Sequence, residues 1–66
     1  MNVVVNGRAF ELADGATAAV AVQVLTSAPS GVAVAVNGEV VRRSAWDSTP
    51  LADGDQVEVL TAVQGG

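Results

Sequence analysis

The chain has 66 residues, half of them hydrophobic, with no cysteine, no histidine and a net charge of −4 from seven acids against three arginines. A chain this short buries only about 60% of the surface its unfolded form exposes, which argues against a deep enzymatic cleft. The missing residue types exclude disulfides, thiolate nucleophiles and cysteine-based metal sites, and they remove the commonest general base. The acidic balance has the wrong sign for a nucleic-acid partner, whose phosphates call for lysine and arginine.

Met1 to Gly7 has no basic segment followed by a long apolar run, so no secretory signal is read there. The most apolar stretch, Ala16 to Leu25, is interrupted by Thr17 and Gln23 and is too short to span a bilayer. A cytoplasmic protein without a membrane partner is expected. Phe10 and Trp46 are the only aromatics, so the core must be built mainly from valine, leucine and alanine.

Asn2 to Val5 and Arg8 to Leu12 flank Asn6-Gly7, the dipeptide that best tolerates the positive φ angles of a two-residue hairpin turn. The hairpin pairs Val3 with Phe10 and Met1 with Leu12, setting those four side chains on one face. Asp14-Gly15 marks a turn, and Thr17 is the expected N-cap, its hydroxyl accepting from an unpaired amide of the first helical turn. A helix is expected over about Ala18 to Leu25, with Ala18, Ala21, Val22 and Leu25 as its buried stripe. Val20, Val22 and Val24 also alternate with period two, so local propensity alone leaves helix and strand open for this segment.

Ser27-Ala28-Pro29-Ser30-Gly31 is a breaker cluster where that helix must stop. Val32 to Val36 reads as a strand, Asn37-Gly38 repeats the hairpin dipeptide, and Glu39 to Arg42 is the short partner. Ser44 to Pro50 has no clear period and reads as a loop with a short helical turn, Trp46 roofing one end of the core. Asp53-Gly54-Asp55 turns the chain into a last strand, Gln56 to Val63. Val57, Val59, Thr61 and Val63 share one face of it, and Glu58, Leu60 and Ala62 the other. Strands and helix in this order suit an α+β fold, a mixed sheet with one main helix packed across one face. One domain over residues 1–66 is expected, ending in a flexible tail at about 63–66.

The side chains offer little chemistry. Asp53 and Asp55 flank a glycine and read as turn residues bonding local amides, and a metal loop would need more oxygen ligands at set spacing. Ser44, Ser48 and Thr49 have no histidine or lysine in the chain to activate them. Neither Asn-Gly turn resembles a glycine-rich phosphate cradle followed by lysine and a helix. The terminus remains. At an average glycine frequency of about 7%, chance produces a Gly-Gly ending in about one chain in two hundred. Two residues without side chains let the main chain of Gly65 and Gly66 enter a narrow tunnel and deliver the α-carboxylate to a partner's active site. From Val63 through Gly66 the extended chain reaches about 13 to 14 Å at most. A carboxylate is a poor electrophile and needs prior activation, for example as an acyl adenylate made from ATP by a separate enzyme.

Three segments carry a family resemblance: Val36-Asn37-Gly38-Glu39-Val40-Val41-Arg42-Arg43 followed by Trp46; Leu51-Ala52-Asp53-Gly54-Asp55-Gln56-Val57-Glu58; and the Gly65-Gly66 end. In this order and spacing the chain resembles, over essentially its whole length, the ThiS family of thiamin-biosynthesis sulfur carriers. The resemblance implies a ubiquitin-like β-grasp fold and a carrier with no catalytic residues, no metal and no bound cofactor. It implies adenylation of the Gly66 carboxylate with ATP by a ThiF-type adenylyltransferase, conversion to a thiocarboxylate with a sulfur-donor enzyme, and transfer of sulfur to thiazole synthase, ThiG. Val63, Gln64 and Gly65 would present the terminus, and Leu60, Ala62 and Glu58 are the candidate docking residues on the outward face of the last strand. Other readings are a sulfur carrier for molybdopterin or cysteine synthesis, a passive β-grasp interaction module, and a small metal-dependent or hydrolytic enzyme centred on Asp53 and Asp55. The chain has no lysine, which disfavours a protein modifier that builds lysine-linked chains.

Overall fold

The structure is a computed structural model in which residues 1–26 and 31–61 are described. Five strands form one mixed sheet: β1 (Asn2–Val5), β2 (Arg8–Glu11), β3 (Val32–Val36), β4 (Glu39–Val41) and β5 (Gln56–Thr61). Their order across the sheet is β2-β1-β5-β3-β4. Helix α1 (Ala18–Gln23) joins the two hairpins, and a short 3₁₀ helix, Arg43–Ser48, precedes β5. The last strand thus lies between the two hairpins, parallel to β1 and antiparallel to β3. This is the β-grasp arrangement.

The hairpins follow their turn chemistry. Asn6 (φ 52°) and Gly7 (φ 81°), like Asn37 (φ 51°) and Gly38 (φ 85°), occupy the left-handed region that a type I′ turn demands. Val3 pairs with Phe10 as expected. The Leu12 amide donates to the Met1 carbonyl at 2.8 Å and the Met1 ammonium donates to the Leu12 carbonyl at 2.8 Å, extending the ladder by one residue pair. The inward face of the sheet then meets α1, chiefly at β3 and β5. Val3, Val5, Leu12, Ala18, Ala21, Val22, Val34, Leu51, Val57 and Val59 form the buried core, which contains no buried polar residue among the described ones.

Trp46 closes one end of that core at 5% exposure. Its indole Nε1–H donates to the Val41 carbonyl at 2.9 Å, so the one polar atom of the ring is satisfied as the ring is buried. The Arg43 guanidinium lies over the ring, 5.6 Å from its centroid.

Two helix expectations are corrected. Thr17 occupies the N-cap position in an extended conformation, but its hydroxyl makes no cap bond. The chain meets the need differently: the Ala18 amide donates to the Thr49 carbonyl at 3.0 Å, and the Val20 amide closes a tight turn on the Thr17 carbonyl at 3.0 Å. Leu25 is 38% exposed and leaves the buried stripe. The helix ends at Gln23, and the Leu25 amide bonds three residues back, to Val22, at 3.0 Å. That tighter winding turns Leu25 away from the core. The short partner strand of the second hairpin ends at Val41, and Arg42 instead precedes the 3₁₀ helix. Of the expected breaker cluster, Ser27 to Ser30 lie outside the described residues, while Gly31 has a positive φ of 73°. Among the described residues no helix is long and apolar enough to cross a membrane.

Candidate functional site

β5 is the strand that leads to the C-terminus, and it lies at the centre of the sheet. Val57 and Val59 point into the core at 1% and 4% exposure, as their alternation predicts. The residues between and after them point the other way: Glu58 is exposed, and Leu60 is 66% exposed. Among the described residues no loop buries Leu60. Of the other sequence-predicted site residues, Ala62, Val63, Gln64, Gly65 and Gly66 lie outside the described residues, as does the side chain of Thr61.

The register shows what surrounds Leu60 and Glu58. Ala33 lies opposite Leu60, Ala35 opposite Glu58, and Val40 opposite Ala35 on the next strand out. Val40 is 82% exposed. Leu60, Ala33, Ala35 and Val40 therefore make an apolar strip across the sheet face that α1 does not cover, beside the exposed Glu58 carboxylate. On the other flank a shallow depression runs between Leu60 and the first hairpin turn, bordered by Val4, Asn6 and Gly7. Sequence reading does not single out Val40. Alternation within Glu39–Val41 carries the signal, but a three-residue strand assigns its faces only once the register with β3 is known.

Both Asn-Gly turns reach β5 through their asparagine side chains. The Val59 amide donates to Asn6 Oδ1 at 2.7 Å, and Asn6 Nδ2 donates to the Val59 carbonyl at 3.0 Å. The Gln56 amide donates to Asn37 Oδ1 at 3.0 Å, and Asn37 Nδ2 donates to Asp55 Oδ1 at 3.0 Å. Neither role is visible in the dipeptides themselves, because the partners are remote in sequence.

The acids before β5 fix the turn. Asp55 Oδ2 accepts from the Ala52 amide at 2.8 Å, the local bond expected of a turn aspartate. Asp53 departs from that expectation: its Oδ1 accepts at 2.7 Å from the amide of Asn2, at the start of β1. Both carboxylates are thus engaged with amides of the scaffold. Among the described residues no group of three or more acidic side chains is gathered where it could hold a metal ion.

The sequence profile of the ThiS family matches residues 3–66. The chain is 30% identical over 66 residues to the sulfur carrier protein ThiS of Escherichia coli (strain K12), with 100% of each chain covered. A crystal structure of the thiamine biosynthesis protein ThiS from Geobacter metallireducens superposes with a TM-score of 0.78 at 38% identity, covering 100% of both chains. A solution structure of a thiamine biosynthesis protein from the same organism gives a TM-score of 0.79 at 38% identity, covering 100% of this chain and 88% of the other. A profile match through almost the whole chain, on a β-grasp sheet shared with those solved structures, establishes that the chain belongs to the ThiS family.

Proposed function

We propose that this chain is a sulfur carrier of thiamin biosynthesis, and that its working group is the Gly66 carboxylate. The observation that carries this reading is the family match, which runs to residue 66 and so includes the Gly65-Gly66 end within the span shared with the family. The composition supports it: without cysteine or histidine the chain has no side chain suited to hold or transfer sulfur, and the terminus is left to do so.

In this reading a ThiF-type adenylyltransferase binds ATP, the Gly66 carboxylate attacks the α-phosphorus, and pyrophosphate leaves. Sulfur delivered by a donor enzyme then displaces AMP, and the resulting thiocarboxylate passes its sulfur to thiazole synthase in the cytoplasm. The carrier contributes presentation. Val63, Gln64 and Gly65 extend the terminus from β5 into the partner, while the folded sheet stays outside as a handle.

Docking falls on the open face beside that strand. Leu60 at 66% exposure and Val40 at 82% are the large apolar side chains there, and a partner burying them gains hydrophobic contact next to the tail. Glu58 frames the strip with negative charge that suits a basic rim on the partner. Ala62 continues the outward alternation by sequence.

The test of pathway is a single-turnover transfer from the thiocarboxylated chain. Formation of the thiazole product with thiazole synthase, and no sulfur transfer to the large subunit of molybdopterin synthase, is expected. Transfer to the molybdopterin subunit alone would overturn the assignment to thiamin.

A further inference from the structure

We propose that Asn6 is a positioning residue: its carboxamide clamps the tail-bearing strand at Val59 and thereby sets how that strand is presented to the adenylating partner. The inference rests on the carrier function proposed above and adds to it a residue far from the terminus in sequence.

The geometry begins with where β1 runs out. Its last paired residue is Val5, opposite Val57 of β5. The Asn6 backbone amide still reaches the Val57 carbonyl at 2.9 Å, but the main chain then turns away through Gly7 into β2. Val59 lies one hydrogen-bonding position further along the same edge, beyond the reach of the β1 backbone. The Asn6 carboxamide supplies what the missing residue would have supplied: it accepts from the Val59 amide at 2.7 Å and donates to the Val59 carbonyl at 3.0 Å. A primary amide presents a donor and an acceptor side by side, as a backbone residue in a ladder does, and among side chains only asparagine and the longer glutamine carry one. The left-handed φ of 52° that makes Asn6 a turn residue also aims its side chain back at β5.

Asn37 provides an internal comparison. It has the same dipeptide and the same turn geometry, but its carboxamide accepts from the amide of the strand's first residue, Gln56, at the end away from the tail, and donates to the Asp55 carboxylate instead of to the strand. Loss of either carboxamide removes two hydrogen bonds, part-buried ones to backbone for Asn6 and exposed ones for Asn37. Only the Asn6 clamp lies near the exit toward Gly66 and beside the exposed Leu60. A strand held on both edges up to Val59 enters a partner with its direction already set, and releasing one edge leaves that ordering to be done during binding.

The experiment compares Asn6→Gly, Asn6→Asp and Asn37→Gly with the wild-type chain. Glycine accepts positive φ, and aspartate keeps the size and turn preference while setting a carboxylate oxygen against the Val59 carbonyl. Amide hydrogen exchange on the free chain is read first. Asn6→Gly is expected to speed exchange at Val59 by at least about fivefold, while Asn37→Gly leaves Val59 unchanged after correction for global stability. Steady-state adenylation with a ThiF-type enzyme and ATP follows. Asn6→Gly and Asn6→Asp are expected to raise KM for the chain about three- to tenfold with kcat within about twofold, and Asn37→Gly to leave both near wild type. Unchanged Val59 exchange in Asn6→Gly overturns the clamp, and equal KM values for Asn6→Gly and Asn37→Gly overturn the positioning role. Failure of the wild-type chain to be adenylated by an enzyme active on its own carrier overturns the carrier reading and the positioning role with it, while the exchange data still decide the clamp.

Discussion

Truncating Leu60 to alanine separates docking from folding. Full burial of a leucine side chain is worth about 1.5 to 3 kcal/mol, and Leu60 is 66% exposed, so folding draws on only about a third of that. Leu60→Ala is therefore expected to cost about 1 kcal/mol of stability or less. If the partner covers the exposed two thirds, binding loses about 1 to 2 kcal/mol, a factor of about 5 to 30 in affinity. The assay is the KM for the chain in ATP-dependent adenylation, run beside urea unfolding of the same preparations. A rise in KM within that range at near-native stability is expected, and Leu60→Glu, which sets a second carboxylate beside Glu58, is expected to exceed it. An unchanged KM in both variants would refute a docking role for this face. A stability loss as large as that of a core valine would refute the exposure on which the calculation rests.

Three further positions probe the scaffold. Val57→Ala opens a cavity at a site only 1% exposed and is expected to cost about 2 kcal/mol in urea unfolding, with KM for adenylation unaffected at temperatures where the variant is folded. Trp46→Phe leaves the Val41 carbonyl without its indole donor and removes part of the roof, for an expected loss of about 1 to 3 kcal/mol. Trp46→Ala, at about 3 to 5 kcal/mol, approaches the whole stability of a chain this size and is expected to leave it largely unfolded by circular dichroism. Gly38→Ala meets no neighbouring atom within 4 Å but must hold φ near 85°, so a loss of about 1 to 2 kcal/mol from backbone strain alone is expected in thermal melts.

Much of this fold is legible because its signals are local. Two Asn-Gly dipeptides fix two hairpins, and the alternation in Gln56 to Leu60 separates Val57 and Val59 from Glu58 and Leu60 before any strand is paired. Trp46 is readable as a roof because a lone large aromatic in a valine-rich chain has few other places to go. What escapes local reading depends on partners distant in sequence. Thr17 looks like a side-chain cap until the Thr49 carbonyl arrives to take the Ala18 amide, and Asp53 looks local until the Asn2 amide binds it. Leu25 fits the helical stripe only if the winding stays regular, and one tightened turn removes it. Asn6 and Asn37 announce their turns plainly, yet their bonds to β5 follow from the insertion of the last strand between the two hairpins, which no local pattern encodes. The chemistry at the terminus is reached by elimination and by family resemblance, since Gly65 and Gly66 carry no side chain to read.

The central claim, that Gly66 carries sulfur, is tested most directly by intact mass. The chain is incubated with a ThiF-type adenylating enzyme, ATP and a sulfur source, and a chain lacking Gly66 serves as control. A mass gain equal to replacement of one oxygen by one sulfur, present only when Gly66 is present, is the predicted result. No gain with an enzyme shown to be active, or the same gain in the shortened chain, would contradict it.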